Sequence, residues 1–114
     1  VRLRFDFDTA IPLGLIVNEL VSNAFKYGFE SKSKGFIRIS ITALNDVDYE
    51  LKVIDDGKGL PSDFNISSPK TLGLRLVSIL SKQLRGGFSA ATAEKQTVFT
   101  VLFKDIKAYN ASVD

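Results

Sequence analysis

Between Val1 and Phe7 hydrophobic and polar side chains alternate, with Leu3, Phe5 and Phe7 set against Arg2, Arg4 and Asp6. A period of two predicts a half-buried strand. From about Pro12 to Tyr27 the spacing changes to three and four. Leu13, Val17, Leu20, Val21 and Ala24 then fall on one arc of a helix, the face expected to meet a sheet. Asp8 or Thr9 can cap that helix, Pro12 suits its first turn, and Gly28 stops it.

Alternation returns from Phe36 to Thr42, with Ile37, Ile39 and Ile41 predicted inward. Asn45-Asp46 makes a turn, and Tyr49 to Asp55 is a third strand with Tyr49, Leu51 and Val53 on one face. The stretch from Asp56 to Lys70 is poor in apolar residues and reads as a long loop, a feature that in compact domains is functional or disordered. A second helix is expected from about Leu72 to Leu84, ended by Gly86-Gly87. Phe88 to Ala93 is a weak strand. Thr97 to Phe103 is a strong one, with Thr97, Phe99, Val101 and Phe103 sharing a face. Residues 105–114 read as a frayed tail.

Strand, helix, strand, strand, loop, helix, strand, strand is the predicted order. Hairpin-like pairs after each helix predict an α/β (α+β) two-layer sandwich: a mixed, mostly antiparallel sheet with helices on one face, not a doubly wound parallel sheet. The chain of 114 residues fits one domain, expected over residues 1–104.

Composition narrows the chemistry. Fifteen basic and 13 acidic residues leave a net charge of +2, too balanced to predict nucleic acid as a partner. Without cysteine there is no disulfide and no thiolate metal site, which is compatible with a cytoplasmic location. Without histidine the chain lacks the commonest general base and cannot itself be phosphorylated on histidine. No apolar run reaches the roughly 18 residues of a membrane helix. No methionine is present, so the chain is expected to be excised from a longer protein.

Three places carry polar groups where a core element should not. Around the first helix, Glu19, Asn23 and Lys26 fall on an arc beside the apolar one, and Glu19, Asn23 and Tyr27 form one i, i+4, i+8 ridge. An amide oxygen, a carboxylate and an ammonium suit magnesium and phosphate; the same grouping also fits a solvated helix border. Period two puts Asp55 on the buried side with Leu51 and Val53, where a carboxylate is costly unless hydrogen-bonded. It is followed by Asp56-Gly57-Lys58-Gly59, whose glycines let backbone approach a ligand or simply turn the chain. The second helix opens at Thr71-Leu72-Gly73-Leu74, where free N–H groups suit phosphate, or where Gly73 allows close packing.

Taken in order, these segments resemble one family. Asn18-Glu19-Leu20-Val21-Ser22-Asn23-Ala24-Phe25-Lys26-Tyr27 is similar to the asparagine-containing helix motif of sensor histidine kinase catalytic domains. Ile54-Asp55-Asp56-Gly57-Lys58-Gly59-Leu60-Pro61 resembles their first glycine motif, and Thr71-Leu72-Gly73-Leu74-Arg75-Leu76-Val77 their second. Gly86-Gly87 and Thr97-Val98-Phe99-Thr100-Val101 resemble the closing strands. Pro12-Leu13-Gly14-Leu15-Ile16-Val17-Asn18-Glu19-Leu20 is nearest the subgroup with a short ATP lid.

The resemblance implies the Bergerat-type fold of the GHKL superfamily, with ATP and magnesium as cofactors. It implies that Asn23 coordinates magnesium and that Glu19 sits near the γ-phosphate and orients or deprotonates the acceptor. Lys26 would contact phosphate and Tyr27 line the pocket. Asp55 would read the adenine amino group, Gly57 and Gly59 shape the adenine side, Gly73 and Leu74 offer backbone N–H groups to phosphates, and Thr97 lie near adenine. The implied partner is a histidine-bearing dimerisation segment, with a response regulator downstream; the fragment itself is expected to be monomeric. Three departures stand out: one glycine in the second motif, Gln96 where relatives carry glycine before the threonine, and a short lid with Phe64 as its aromatic residue. An anti-sigma-type serine kinase, an ATP-gated clamp and a degenerate nucleotide-binding module share the motifs and compete with the first reading.

Overall fold

The computed structural model describes residues 2–28, 35–57, 60, 64–65, 69 and 71–112. Two long helices, α1 (Phe7–Asn23) and α2 (Leu72–Gln83), pack together on a sheet of β1 (Ile37–Ala43), β2 (Asp48–Asp55), β3 (Gly87–Ala93) and β4 (Gln96–Lys104). The strands lie in the order β1-β2-β4-β3, and every pairing is antiparallel. This is the two-layer arrangement expected, with the sheet antiparallel throughout its described strands.

The core lies between the layers. Leu13, Ile16 and Leu20 come from α1, Leu74, Val77 and Leu80 from α2, Leu51 and Val53 from β2, and Phe99, Val101 and Phe103 from β4. The β2 and β4 residues are cross-strand partners, Leu51 with Val101 and Val53 with Phe99. Period two therefore placed both inward faces correctly. Ile16 is fully buried although it lies beside the arc read from the sequence. On β1 only Ile37 and Ile41 reach the core; Ile39 is 47% exposed, because β1 is an outer strand at the margin of the helix layer.

The amino-terminal strand expected over Val1 to Phe7 does not form over the described residues. Asp6 instead caps α1, its carboxylate accepting the Phe7 N–H at 2.6 Å, and takes the place assigned to Asp8 or Thr9. Phe5 packs edge-on to Tyr49 and Phe103, while Phe7 is 78% exposed. Pro12 lies inside α1 rather than in its first turn, and is buried. After Asn23 the helix widens into a π-helical turn, Ala24–Gly28.

Over the span read as a frayed tail, Ile106–Ser112 forms a third helix, α3. Its first N–H, from Ile106, donates to the buried hydroxyl of Thr9 at 2.8 Å, so α3 is bolted to the start of α1. The α2 carboxyl end closes with a Schellman pattern, Arg85 N–H to Lys82 C=O and Gly86 N–H to Ser81 C=O, both 2.9 Å. Gly86 is required there: a Cβ would collide with the backbone of Leu102 and Phe103.

Candidate functional site

Four polar residues are buried within the described structure: Thr9, Asp55, Ser81 and Thr97. Two have structural explanations. Thr9 receives the α3 N–H, and the Ser81 hydroxyl donates to Val77 C=O one turn back at 2.7 Å. The other two, Asp55 and Thr97, are direct cross-strand partners at the same end of β2 and β4. They are 3% and 4% exposed. Below them, in register, come the apolar pairs Val53–Phe99 and Leu51–Val101, so the inward face of the sheet turns polar at one end only.

Asp55 Oδ1 accepts the Gly57 N–H at 2.9 Å, a local turn that fixes the carboxylate at the strand end. Gly57 is itself buried. Asp56 accepts the Phe36 N–H at 2.8 Å and ties the start of β1 to this loop.

The long helix starts at the other end of the sheet. Thr9 is fastened to Ile106, just past β4, and the opposite end of β4 from Thr97 is Lys104, paired with Asp48. From Thr9 to Asn23 is a rise of roughly 21 Å along a helix. From Asp48 to Asp55 is about 23 Å along a strand. Starting together and nearly equal in length, α1 and β2 would finish together if they run side by side, which would set Asn23 near the Asp55–Thr97 end. The helix α2 runs back the other way: its carboxyl end meets β4 through the Lys104 N–H to Leu84 C=O bond at 2.9 Å, and its amino end meets Glu19.

Asn23 Nδ2 is buried without a hydrogen-bond partner, the one side-chain atom of this kind among the described residues. Leaving a buried amide unsatisfied costs about 1–3 kcal/mol, which marks the position as one completed by something else. Glu19, one turn earlier on the same ridge, is half-buried, and its carboxylate rests against Gly73 at the start of α2. Thr71 caps α2, its hydroxyl accepting the Leu74 N–H at 3.2 Å. That N–H, assigned from the sequence to phosphate, already has an internal partner, and a ligand would share it. The Gly73 N–H remains in the first turn beside it. Thr71 itself was read only as the residue opening the helix; a threonine just before a helical run is a capping signal.

The structure thus brings Glu19 to Gly73 and Leu74 at the start of α2, and Asp55 to Gly57 and Thr97 at one end of the sheet, with Asn23 one turn beyond Glu19 on the same ridge. Lys26 is exposed in the π turn. Gly59 and the Tyr27 side chain, with most of the expected lid, lie outside the described residues, though Leu60 and Phe64 pack against the core. No group of three metal-ligating side chains occurs among the described residues, so a cation at Asn23 would need ligands from elsewhere, as phosphate oxygens provide.

At the opposite end of the sheet a cleft of about 370 Å³ lies between Asn45, Asp48, Arg85 and Lys104, away from these residues. There the Asp48 carboxyl is held below its ordinary range, by the hydrogen bond from Lys104 first and then that from Asn45.

Comparison with known proteins identifies the fold and the family. The chain is 26% identical over 94 residues to the blue-light-activated histidine kinase 2 of Erythrobacter litoralis, covering 82% of this chain and 27% of that protein. It is 31% identical over 100 residues to the sensor histidine kinase PdtaS of Mycobacterium tuberculosis, covering 85% of this chain and 20% of that protein. The chain therefore spans about a quarter or less of the length of these relatives. The solved blue-light-activated histidine kinase EL346 of Erythrobacter litoralis superposes with a TM-score of 0.85 at 22% identity, covering 96% of this chain and 35% of that one, and shows the same fold. A family model for histidine kinase-, DNA gyrase B- and HSP90-like ATPases matches residues 8–107, which include the amide on the long helix and the buried acid–threonine pair. On that match the chain belongs to the family of histidine kinase-, DNA gyrase B- and HSP90-like ATPases.

Proposed function

We propose that this domain binds ATP together with magnesium and serves as the catalytic unit of a sensor histidine kinase in two-component signalling. The observations that support it best are a buried carboxylate, Asp55, paired with Thr97 at one end of the sheet, and the unsatisfied amide of Asn23 on the long helix. An ionised aspartate accepts hydrogen bonds only, so it favours a base that presents an amino group, as adenine does, over one that presents a carbonyl.

Asn23 and the phosphates would hold the magnesium, an oxygen-seeking cation that neutralises charge building on the transferred group. The amide oxygen of Asn23 would add a ligand without adding charge, while the orphaned Nδ2 is a donor that suits a phosphate oxygen. Glu19 would accept the proton carried by the imidazole's other ring nitrogen as the unprotonated nitrogen bonds to the γ-phosphorus and the bond from that phosphorus to the β–γ bridging oxygen breaks, releasing ADP. Gly73, and Leu74 in part, would direct N–H groups toward phosphate. Such transfer relies on position and charge more than on covalent chemistry by the protein. With no histidine of its own, the chain needs an acceptor on another segment. Localisation beside the cytoplasmic pool of ATP follows from this reading.

The test has two stages. A fluorescent ATP analogue is titrated with and without magnesium; saturable, magnesium-dependent binding is expected. The longer protein bearing the histidine segment is then incubated with γ-labelled ATP. Acid-labile, base-stable label is expected, as for phosphohistidine; acid-stable label would mean a hydroxyl acceptor and a serine kinase instead.

A further inference from the structure

A Cβ built on Gly73 would fall on Oε2 of Glu19 and lie 3.3 Å from its Cδ. By contrast, Cβ atoms on Gly14 and Gly87 would meet nothing within 4 Å, and one on Gly86 would meet backbone. Among these four glycines, Gly73 is the one whose missing side chain is replaced by a charged side chain from another helix. Glu19 belongs to the carboxyl-terminal half of α1, and Gly73 is the second residue of α2.

The charge has a reason to be there. A helix amino end carries unpaired N–H groups and the positive end of the dipole, and usually draws an acidic residue into its first turn. The first turn of α2 has none, and the Thr71 hydroxyl accepts from the Leu74 N–H. The carboxylate comes instead from α1, across the junction of the two helices. Any side chain at position 73 would evict it. The atom in the way is the tip of a flexible side chain, so the fold can accept alanine at 73 by moving the carboxylate alone.

We propose that Gly73 is a positioning residue for Glu19: its bare Cα is the seat that holds this carboxylate at the start of α2. Resting on the ATP reading above, the seat keeps Glu19 close to the acceptor while leaving the terminal phosphate its own space. A carboxylate pushed off the seat turns along its ridge toward Asn23, one turn on, where it repels that phosphate.

A double-mutant cycle tests this on the chain as it stands, with Gly73→Ala, Glu19→Asp and the pair. Aspartate is shorter by one methylene and leaves room for the alanine methyl. In ligand-free protein, G73A is expected to lower Tm, and to lower it less when Glu19→Asp is present; equal costs in both backgrounds would overturn the proposal. In binding, G73A is expected to weaken an ATP analogue relative to ADP by roughly fivefold, the size of one added like-charge contact near water. The double variant should regain the lost preference. Loss of preference that aspartate does not restore would also overturn it. Failure of the wild-type chain to bind ATP would remove the nucleotide reading, while the ligand-free Tm cycle would still decide the seat.

Discussion

Asp55 on β2 and Thr97 on β4 face each other across a ladder, and both are all but closed to solvent. A carboxylate in such a place is retained only if it is hydrogen-bonded, and Gly57 supplies part of that satisfaction. Asp55→Asn keeps the shape and adds a donor. It should weaken ATP analogue binding by about tenfold or more, the scale of one specific hydrogen bond to a charged group, and narrow the preference over GTP. Competition titrations with both nucleotides read this directly; an unchanged ratio would remove Asp55 as the base-reading residue.

Asn23 gives a prediction with opposite signs for stability and binding. Deleting a buried, unpartnered amide relieves a penalty of about 1–3 kcal/mol, offset by the packing that is lost. Asn23→Ala should therefore hold or raise Tm while abolishing the magnesium-dependent part of nucleotide binding. A variant that unfolds would show the amide to be structural.

These two positions were legible in the sequence because each rests on a periodicity. Leu51, Val53 and Asp55 share a strand face, and Asn23 sits beside the apolar arc of a long helix. The start of the chain was not legible in that way. Seven alternating residues read as a strand, yet one capping aspartate and the Phe5 contact with Tyr49 and Phe103 decide the outcome in favour of α1. The α3 helix escaped for a related reason. Seven residues make a marginal helix by themselves, and its anchor, Thr9, lies 97 positions away along the chain. The Glu19–Gly73 contact was equally hidden: both residues stood out, but not that one fills the space left by the other.

The β3–β4 hairpin carries correctable strain. Its two-residue turn holds Glu94 at φ 50° and Lys95 at φ 65°, the left-handed conformation that Asn-Gly adopts most easily. Each ordinary residue there costs about 1–2 kcal/mol at most. The E94N/K95G variant should raise stability by about 1 kcal/mol in urea denaturation without touching nucleotide affinity, since the turn makes none of the contacts assigned to the ligand.

Acid sensitivity should be traceable to Asp48. Its folded pKa lies below the ordinary value of 3.8, chiefly through the Lys104 hydrogen bond and then through Asn45. A lowered carboxyl pKa means that its stabilising contribution is complete above the unfolded value and disappears as pH falls through the folded one. The Tm difference between wild type and Asp48→Asn should be constant near neutrality and shrink below pH 3.8, with added salt reducing it throughout. A difference that instead vanished between pH 8 and 6 would refute this origin.

The π turn that begins at Ala24, immediately after Asn23, would divide the proposed nucleotide site into a permanent half and an adjustable one. The wall bearing Asp55 is clamped by ladder bonds to β1 on one side and β4 on the other. The amide stands on the last residue of regular winding, just before a helix turn that has taken in one residue more, and giving that residue back would swing the side chains after it by roughly 100°. A nucleoside stripped of its phosphates would meet a surface already made, whereas a triphosphate would select among windings of the helix end.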